Sequence, residues 1–366
     1  MAYGTVNADI VTTSTGQILG AGNSTAFKNR IINGGMAIDQ RNAGASVTTS
    51  SLQTTVYTVD RWSYYNDVIS KRTIQQSSVA PPGFKNSLKV TVIATDTSGP
   101  QQFIRQCIEG YNIADLNWGT ANALPVVLSF WVRSSVTGQH GGAIQSVNTD
   151  WCFPFAYNIN VADTWEYKTI NISGPTTGTW GSTNGYGASV TFEHGVGYQK
   201  SPASAWIALN ATSSTGSVNL CATNGATWYI TGVQFEVGTQ ATSFDFRDYG
   251  RELILCQRYF QKYLTLNGND RLAIGNAYTS TSWFFMMPLQ VSMRASPSFT
   301  LTQNGSGLIE AVAWYTVSSL NVATSTTTNV TFQLNMPSTA ATAGQLVWLG
   351  QNGGSAGPII FLTSEL

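Results

Sequence analysis

From Asn29 onward the chain is dominated by short stretches in which apolar and polar residues alternate. Residues 87–93, Ser-Leu-Lys-Val-Thr-Val-Ile, alternate cleanly, the pattern of a half-buried strand. Residues 124–134 give the strongest strand, with Phe130 and Val132 on one face and Trp131 on the other. Residues 57–65, 167–172, 206–209 and 228–237 read the same way. Residues 30–38 form an apolar stretch broken by Gly34-Gly35, which predicts a bulge or tight bend. Gly, Asn and Ser turns separate these runs, so the pattern predicts an all-β chain with a jelly-roll β-sandwich over 29–245.

One segment breaks the period. Asp248 can cap a helix in which Leu253, Cys256, Phe260 and Tyr263 fall at helical spacing. An acidic start and a Lys262 finish suit the helix dipole. Residues 246–264 are therefore expected to be a connecting α-helix. Beyond it, 265–366 returns to β composition, with strand candidates at 283–289, 312–317, 329–334, 346–349 and 358–362. This is expected to be a smaller C-terminal β domain. Residues 1–28 are small, polar and rich in Gly, Ser and Thr, and read as an extended N-terminal arm without a core of its own.

Charge narrows the function classes. Charged residues make up only 10% of the 366, and 18 basic residues balance 18 acidic ones. A net charge of zero leaves no electrostatic footprint for nucleic acid or an anionic membrane. Apolar residues at 42% and aromatics at 11% are enough to fold, and the weak charge suits large oligomer interfaces. No apolar run approaches the roughly 20 residues of a spanning helix, so no membrane insertion is expected. The first residues, Met-Ala-Tyr-Gly-Thr-Val, do not resemble a Sec-type signal, so release by lysis is expected. Cys107, Cys152, Cys221 and Cys256 form no CxxC pair and have only His140 and His194 for company. Four buried free thiols are expected, not a zinc site.

Catalytic signatures are missing from the sequence. There is no GxSxG, P-loop, dinucleotide fingerprint or EF-hand loop. His140 and His194 lie in Gly-rich stretches with no nucleophile motif beside them. The acids Asp60, Asp150, Asp163, Glu166, Glu193 and Glu236 are scattered. The chain is therefore expected not to be an enzyme. Aromatics carry more information. Trp151, Trp180, Tyr186 and Tyr198 sit among Gly, Ser, Thr and Asn, the mixture of adaptable recognition surfaces. They are the candidate glycan-binding residues, with plain loop packing as the alternative for each. Asn33, Asp39, Gln234, Glu236 and Asp245 offer oxygen ligands for a calcium ion, although no ordered spacing supports them. No other cofactor is expected.

Several stretches together resemble a β-sandwich module of bacteriophage tail-fibre proteins. They are Phe27-Lys-Asn-Arg-Ile-Ile-Asn-Gly-Gly-Met-Ala-Ile-Asp-Gln-Arg-Asn42, Tyr57-Thr-Val-Asp-Arg-Trp62, and Ile108-Glu-Gly-Tyr-Asn-Ile-Ala-Asp-Leu116 leading into Leu128–Ser134. Trp228–Gly238, Phe244–Leu253 and Cys256-Gln-Arg-Tyr259 match the module's end. The resemblance covers about 27–263 and is similar to carbohydrate-binding jelly rolls. It implies a virion protein, a homotrimeric tail fibre. Its arm would attach to other tail proteins, and its C-terminal domain would meet host surface polysaccharide. Pro288-Leu289, Met293–Pro297 and Glu365-Leu366 resemble fibre tips more loosely. No repeat shaft is present, which leaves a capsid decoration or tail-adaptor protein as the alternative and a glycan depolymerase as the third reading.

Overall fold

The structure, a computed structural model, describes residues 10–12, 18–20, 28–48, 54–67, 71–98, 101–148, 151–197, 199–264, 271–302, 309–310, 314–315, 319–336, 341–350 and 359–366. They belong to two compact units, Met1–Glu252 with Leu366, and Leu253–Glu365. In chain order, β1 (Ile10–Thr12) and β2 (Ile18–Gly20) pair as a short antiparallel ladder. The rest of the expected arm up to residue 27 lies outside the described residues. The sandwich strands are β3 (Val47–Thr48), β4 (Thr54–Tyr57), β5 (Ser63–Asn66), β6 (Arg72–Ser77), β7 (Ser87–Val92), β8 (Gln102–Glu109), β9 (Val126–Ser134), β10 (Gly138–Ser146), β11 (Cys152–Ile159), β12 (Glu166–Ile172), β13 (Tyr186–Glu193) and β14 (Thr227–Val237).

These strands form two six-stranded antiparallel sheets, a jelly-roll sandwich. Sheet I runs β11-β10-β13-β8-β5-β4 and sheet II runs β12-β9-β14-β7-β6-β3. Their inner faces share one core. Ile104, Ile144, Phe155, Val190 and Phe192 come from sheet I; Leu88, Val90, Leu128, Phe130, Trp228 and Phe235 come from sheet II. Trp228 is fully buried, and its indole N–H donates to the Tyr157 hydroxyl at 3.2 Å. In β14 the core positions step from Ile230 to Val233, because the β9 register shifts between Thr231 and Gln234 and Gly232 takes a φ of +62°. A β-bulge there turns the strand's inward face by one residue.

Residues 30–38, expected to hold a bulge or tight bend, take the bend, with the Met36 N–H donating to the Asn33 carbonyl at 3.1 Å, and form an irregular buried latch against that bulge, not a strand. The Asn29 amide donates to the Val233 carbonyl at 3.0 Å and its oxygen accepts the Phe235 N–H at 3.0 Å. Gly34 lies so close to Val233 that a side chain would strike its carbonyl oxygen. Asn33 adopts a left-handed φ of 57°, which Asn tolerates better than most residues. Its side chain bonds Ile38 and Asp60. The run 57–65 is not continuous; β4 and β5 flank a turn. Trp206–Leu209 contributes a single bridge, Cys152 to Ile207. All four cysteines are free and buried. Burial pushes the thiols of Cys152 and Cys221 up to about 11 and about 12.

Helix α1 (Tyr249–Gln257) carries the chain from the first unit into the second, and the Asp248 carboxylate caps it by accepting the Arg251 N–H at 2.9 Å. The helix is shorter than its expected span. Phe260 and Tyr263 sit in β15 (Phe260–Leu264), which pairs with the last strand, and aromatic residues suit a sheet as well as a helix. The second unit also holds β16 (Arg271–Ala277), β17 (Ser282–Pro288), β18 (Ser298–Thr302), β19 (Ile309–Glu310), β20 (Trp314–Tyr315), β21 (Ser319–Ser325), β22 (Asn329–Asn335), β23 (Leu346–Gly350) and β24 (Ile359–Thr363). They form a three-stranded sheet, β15-β24-β18, and a seven-stranded sheet, β20-β19-β23-β16-β17-β22-β21. Trp283, Phe285, Phe332, Leu334, Val347 and Ile360 pack its separate core.

Both histidines are buried in the sandwich. His140 lies 2.9 Å from the Val136 carbonyl. His194 packs edge-on against Trp228 at 4.4 Å, and burial, with help from His140 and Arg72, lowers its pKa to about 3. An unfolded histidine titrates near 6.5. Between those values the unfolded chain holds a proton that the folded chain does not, so this contribution to stability is complete above about 6.5 and is lost as the pH falls toward about 3. Glu193, whose carboxyl burial pushes up, acts in the opposite sense. In urea titrations the wild type should lose about 1.4 kcal/mol per pH unit from this proton across that window, and His194→Phe should show a shallower fall. Parallel pH dependences would contradict the assignment.

Candidate functional site

Strand alternation aims every second residue of sheet I away from the core. Register then lines these outward residues into rows. One row runs Tyr57, Ser63, Arg105, Thr191, Ala143 and Pro154 across six strands. The next runs Thr55, Tyr65, Phe103, Glu193, Gly141 and Ala156. A third joins Cys107, Ser189, Gln145 and Cys152.

The two halves of this face differ. On β10 and β11 the residues are small, and the chain between 199 and 217 lies over them. Gln145 donates to Asn210 at 2.9 Å, and a side chain at Gly141 would collide with Ser213 and Ser217. On β4, β5 and β8 the face is aromatic and open at its edge: Tyr57, Tyr65 and Arg105 are half-buried and Thr55 is exposed. Tyr65 and Phe103 stack at 5.1 Å with planes 11° apart, and the Arg105 guanidinium lies over Phe103 at 5.5 Å. Tyr186, at the start of β13, brings its side chain to the same place, beside Arg105 and Cys107. Burial raises the Tyr65 and Tyr186 hydroxyl pKa values, so both stay neutral at physiological pH. At the rim the Tyr57 hydroxyl donates to the Leu366 carbonyl at 2.7 Å. The Arg41 guanidinium lies over the Tyr57 ring at 5.0 Å. Such a surface offers ring faces for sugar C–H groups, hydroxyls for sugar hydroxyls and cationic groups.

The other candidates occupy different positions. Trp180 joins Trp118 and Trp206 in a cluster, with centroids 4.7 Å from Trp118 and 5.3 Å from Trp206. Its indole N–H donates to the Thr177 carbonyl at 3.1 Å, and the cluster packs against the sandwich core. Trp151 stands beside the same loop, where a side chain at Gly178 would collide with both Trp151 and Trp180. Tyr198 lies outside the described residues. Thus Trp151 and Trp180 come together at one loop, while Tyr186 serves the outward face of sheet I.

The calcium candidates spend their oxygens on the chain itself. The Asp39 carboxylate accepts the N–H groups of Asn42 and Gly44 at 3.0 and 2.7 Å. Glu236 accepts the Thr242 N–H at 2.8 Å and its hydroxyl at 2.6 Å. Gln234 donates to Glu236 and accepts the Asp245 N–H, both at 2.8 Å. Asp245 pairs with Arg247 at 3.6 Å. Gln234, Glu236 and Asp245 are therefore neighbours, with Asn33 bonded elsewhere. Among the described residues no group of three or more His, Cys, Asp or Glu side chains is arranged to hold a metal ion.

Sequence reasoning missed Tyr57, Tyr65, Phe103, Arg105 and Thr191. The local signal is weak: Phe103-Ile104-Arg105-Gln106-Cys107-Ile108 does not alternate in polarity, because β8 is buried on both faces.

No family model and no curated protein matches the chain. Among solved structures, it is similar to the enzymatically active domain of tailspike protein 4 of bacteriophage CBA120, at 14% identity and a TM-score of 0.32 over 57% of this chain. The match spans only 21% of that tailspike chain. It is also similar to the family 22 carbohydrate-binding module of Clostridium thermocellum Xyn10B, at 12% identity and a TM-score of 0.29, over 52% of this chain and 99% of that one. A third is the family 11 carbohydrate-binding module of the cellulase Lic26A-Cel5E of Clostridium thermocellum, at 13% identity and a TM-score of 0.26, over 55% of this chain and 99% of that one.

The packing around Trp180 yields a direct expectation. Trp180→Ala should cost about 3 kcal/mol in urea unfolding, because a large ring is removed from a three-ring cluster. An unchanged midpoint would assign Trp180 to the surface instead.

Proposed function

We propose that this chain is a structural, adhesive protein of a bacteriophage tail fibre that binds host surface glycan. The observation that carries the glycan reading is the open edge of sheet I's outer face, where the half-buried Tyr57, Tyr65 and Arg105 stand on rigid strands above a filled core. Fixed side chains on strands suit recognition because little ordering entropy remains to be lost. Binding without turnover is the reading favoured here. Of the carboxylates beside this surface, Glu193 is buried and accepts the N–H groups of Gln102 and Gly195 at 2.8 and 2.9 Å, and Asp67 accepts the Gln101 N–H and interacts with Tyr65, so both are held as structural acceptors.

The trimer and virion parts of the proposal rest on the tail-fibre-like stretches and on the second unit. There the outward face of the seven-stranded sheet exposes Ile274, Met286 and Leu346, each more than half accessible, beside Phe284. An apolar sheet face of this kind is suited to cover by another copy. Residues 1–28 are assigned to tail attachment.

Light scattering should give three times 39.3 kDa, and Met286→Glu with Leu346→Glu should lower that mass; a wild-type mass of one chain would remove the trimer. Tyr57→Ala and Tyr65→Ala should each weaken retention on immobilised host polysaccharide about tenfold with unchanged melting. Unaltered retention would remove sheet I as the binding face, and release of sugar fragments would replace binding by depolymerisation. A gold label on intact virions should decorate the tail; label over the capsid would favour a decoration protein.

A further inference from the structure

Most arginines of the sandwich have carboxylate partners. Arg30 meets Asp115 at 2.7 Å, Arg72 meets Asp96 at 3.6 Å and Arg133 meets Asp163 at 3.2 Å. Arg41 meets Asp60 at 3.7 Å and Arg247 meets Glu252 at 3.4 Å. Arg105 is different. Its surroundings are Phe103, Cys107, Tyr57, Tyr65 and Tyr186, and it forms no ion pair with any described carboxylate. Its Nε–H is buried and unpartnered among the described residues. Of the acids nearby, Asp67 accepts the Gln101 N–H at 2.8 Å and interacts with Tyr65, and Glu193 holds the backbone bonds described above. A half-buried cation among neutral rings is costly to keep unpaired. Its planar fork presents parallel donors that match a carboxylate.

We propose that this face selects a carboxylate-bearing sugar, with Arg105 pairing the carboxylate, the Tyr57 and Tyr65 hydroxyl oxygens accepting from ring hydroxyls, and the Tyr65 ring packing on the sugar. This inference rests on the glycan reading of sheet I and names its ligand class. The neighbouring aromatics exclude water from the pair, which strengthens it.

The test is calorimetry on the full chain with hexuronate-containing oligosaccharides and the same oligosaccharides after reduction of their carboxyl groups to alcohols. The acidic form should bind at least about tenfold more tightly, the range of a charge-assisted hydrogen bond. Arg105→Gln should bring both forms to the weaker level, Arg105→Lys should recover part of the difference, and Tyr65→Ala should weaken both forms alike. Where Arg105→Gln melts early, the comparison of the two sugars on the wild type decides. Equal binding of acidic and reduced forms would overturn the carboxylate assignment and leave the glycan reading standing. Displacement of the acidic sugar by inorganic sulfate or phosphate at equal concentration would also overturn it, as a general anion site. No binding to either form would remove this inference, while retention on host polysaccharide would still decide the glycan reading separately.

Discussion

The bulge in β14 is the constraint on which the first unit depends. β14 pairs with β9 on one side and β7 on the other, and the bulge at Gly232 lets Trp228, Ile230, Val233 and Phe235 all face the core despite the broken alternation. A bulge leaves backbone groups without ladder partners. Here the latch supplies them: Asn29 bonds Val233 and Phe235, and the Val233 N–H donates to the Gly34 carbonyl at 3.0 Å. Downstream, Gln234 and Glu236 bond the chain at 242–245. The start and the end of the sandwich sequence are therefore tied to one strand. The stretches that resemble tail-fibre modules are largely these ties, so their presence reports the fold before it reports the ligand.

Filling the core from both sheets leaves only the outer surfaces of the sandwich accessible. Sheet I is closed on its β10–β11 half by the chain around 199–217, which accounts for the Gly and Ala residues at rows where a larger side chain would collide. The opposite half has no such cover in the described structure, and the larger residues Tyr57, Tyr65 and Arg105 stand there. The same sheet thus uses small residues where backbone lies on it and large ones where it meets solvent.

Much of the fold was legible from alternation alone. Residues 87–93 and 124–134 became β7 and β9 because one face of each is buried and the other carries Lys89, Thr91 or Trp131. Four of the six strands of sheet I were not read. β10, with its sequence Gly-Gln-His-Gly-Gly-Ala, looks like a turn, and β8, β11 and β13 are buried on both faces, which erases the polar half of the alternation. The candidate site lay on that sheet, so choosing aromatics from Gly-rich loops led to Trp151 and Trp180, which meet at a packed loop, and of the described candidates Tyr186 alone lies beside Arg105, with its hydroxyl buried. Of the oxygen-rich residues considered for calcium, Asp39 accepts backbone N–H groups in the turn that follows it, and Gln234 and Glu236 accept those of Asp245 and Thr242 beside β14.

By itself the sequence determined the all-β class, the capped helix at Asp248, the buried state of the four thiols and the weak overall charge, because each follows from local alternation, capping chemistry or composition. Tertiary structure decided which face is open and which charge stands alone. Arg105 shares a row with Ser63 and Thr191 only after three strands far apart in sequence are brought into register, and whether a carboxylate meets its guanidinium is settled by that register and by nothing local to residue 105.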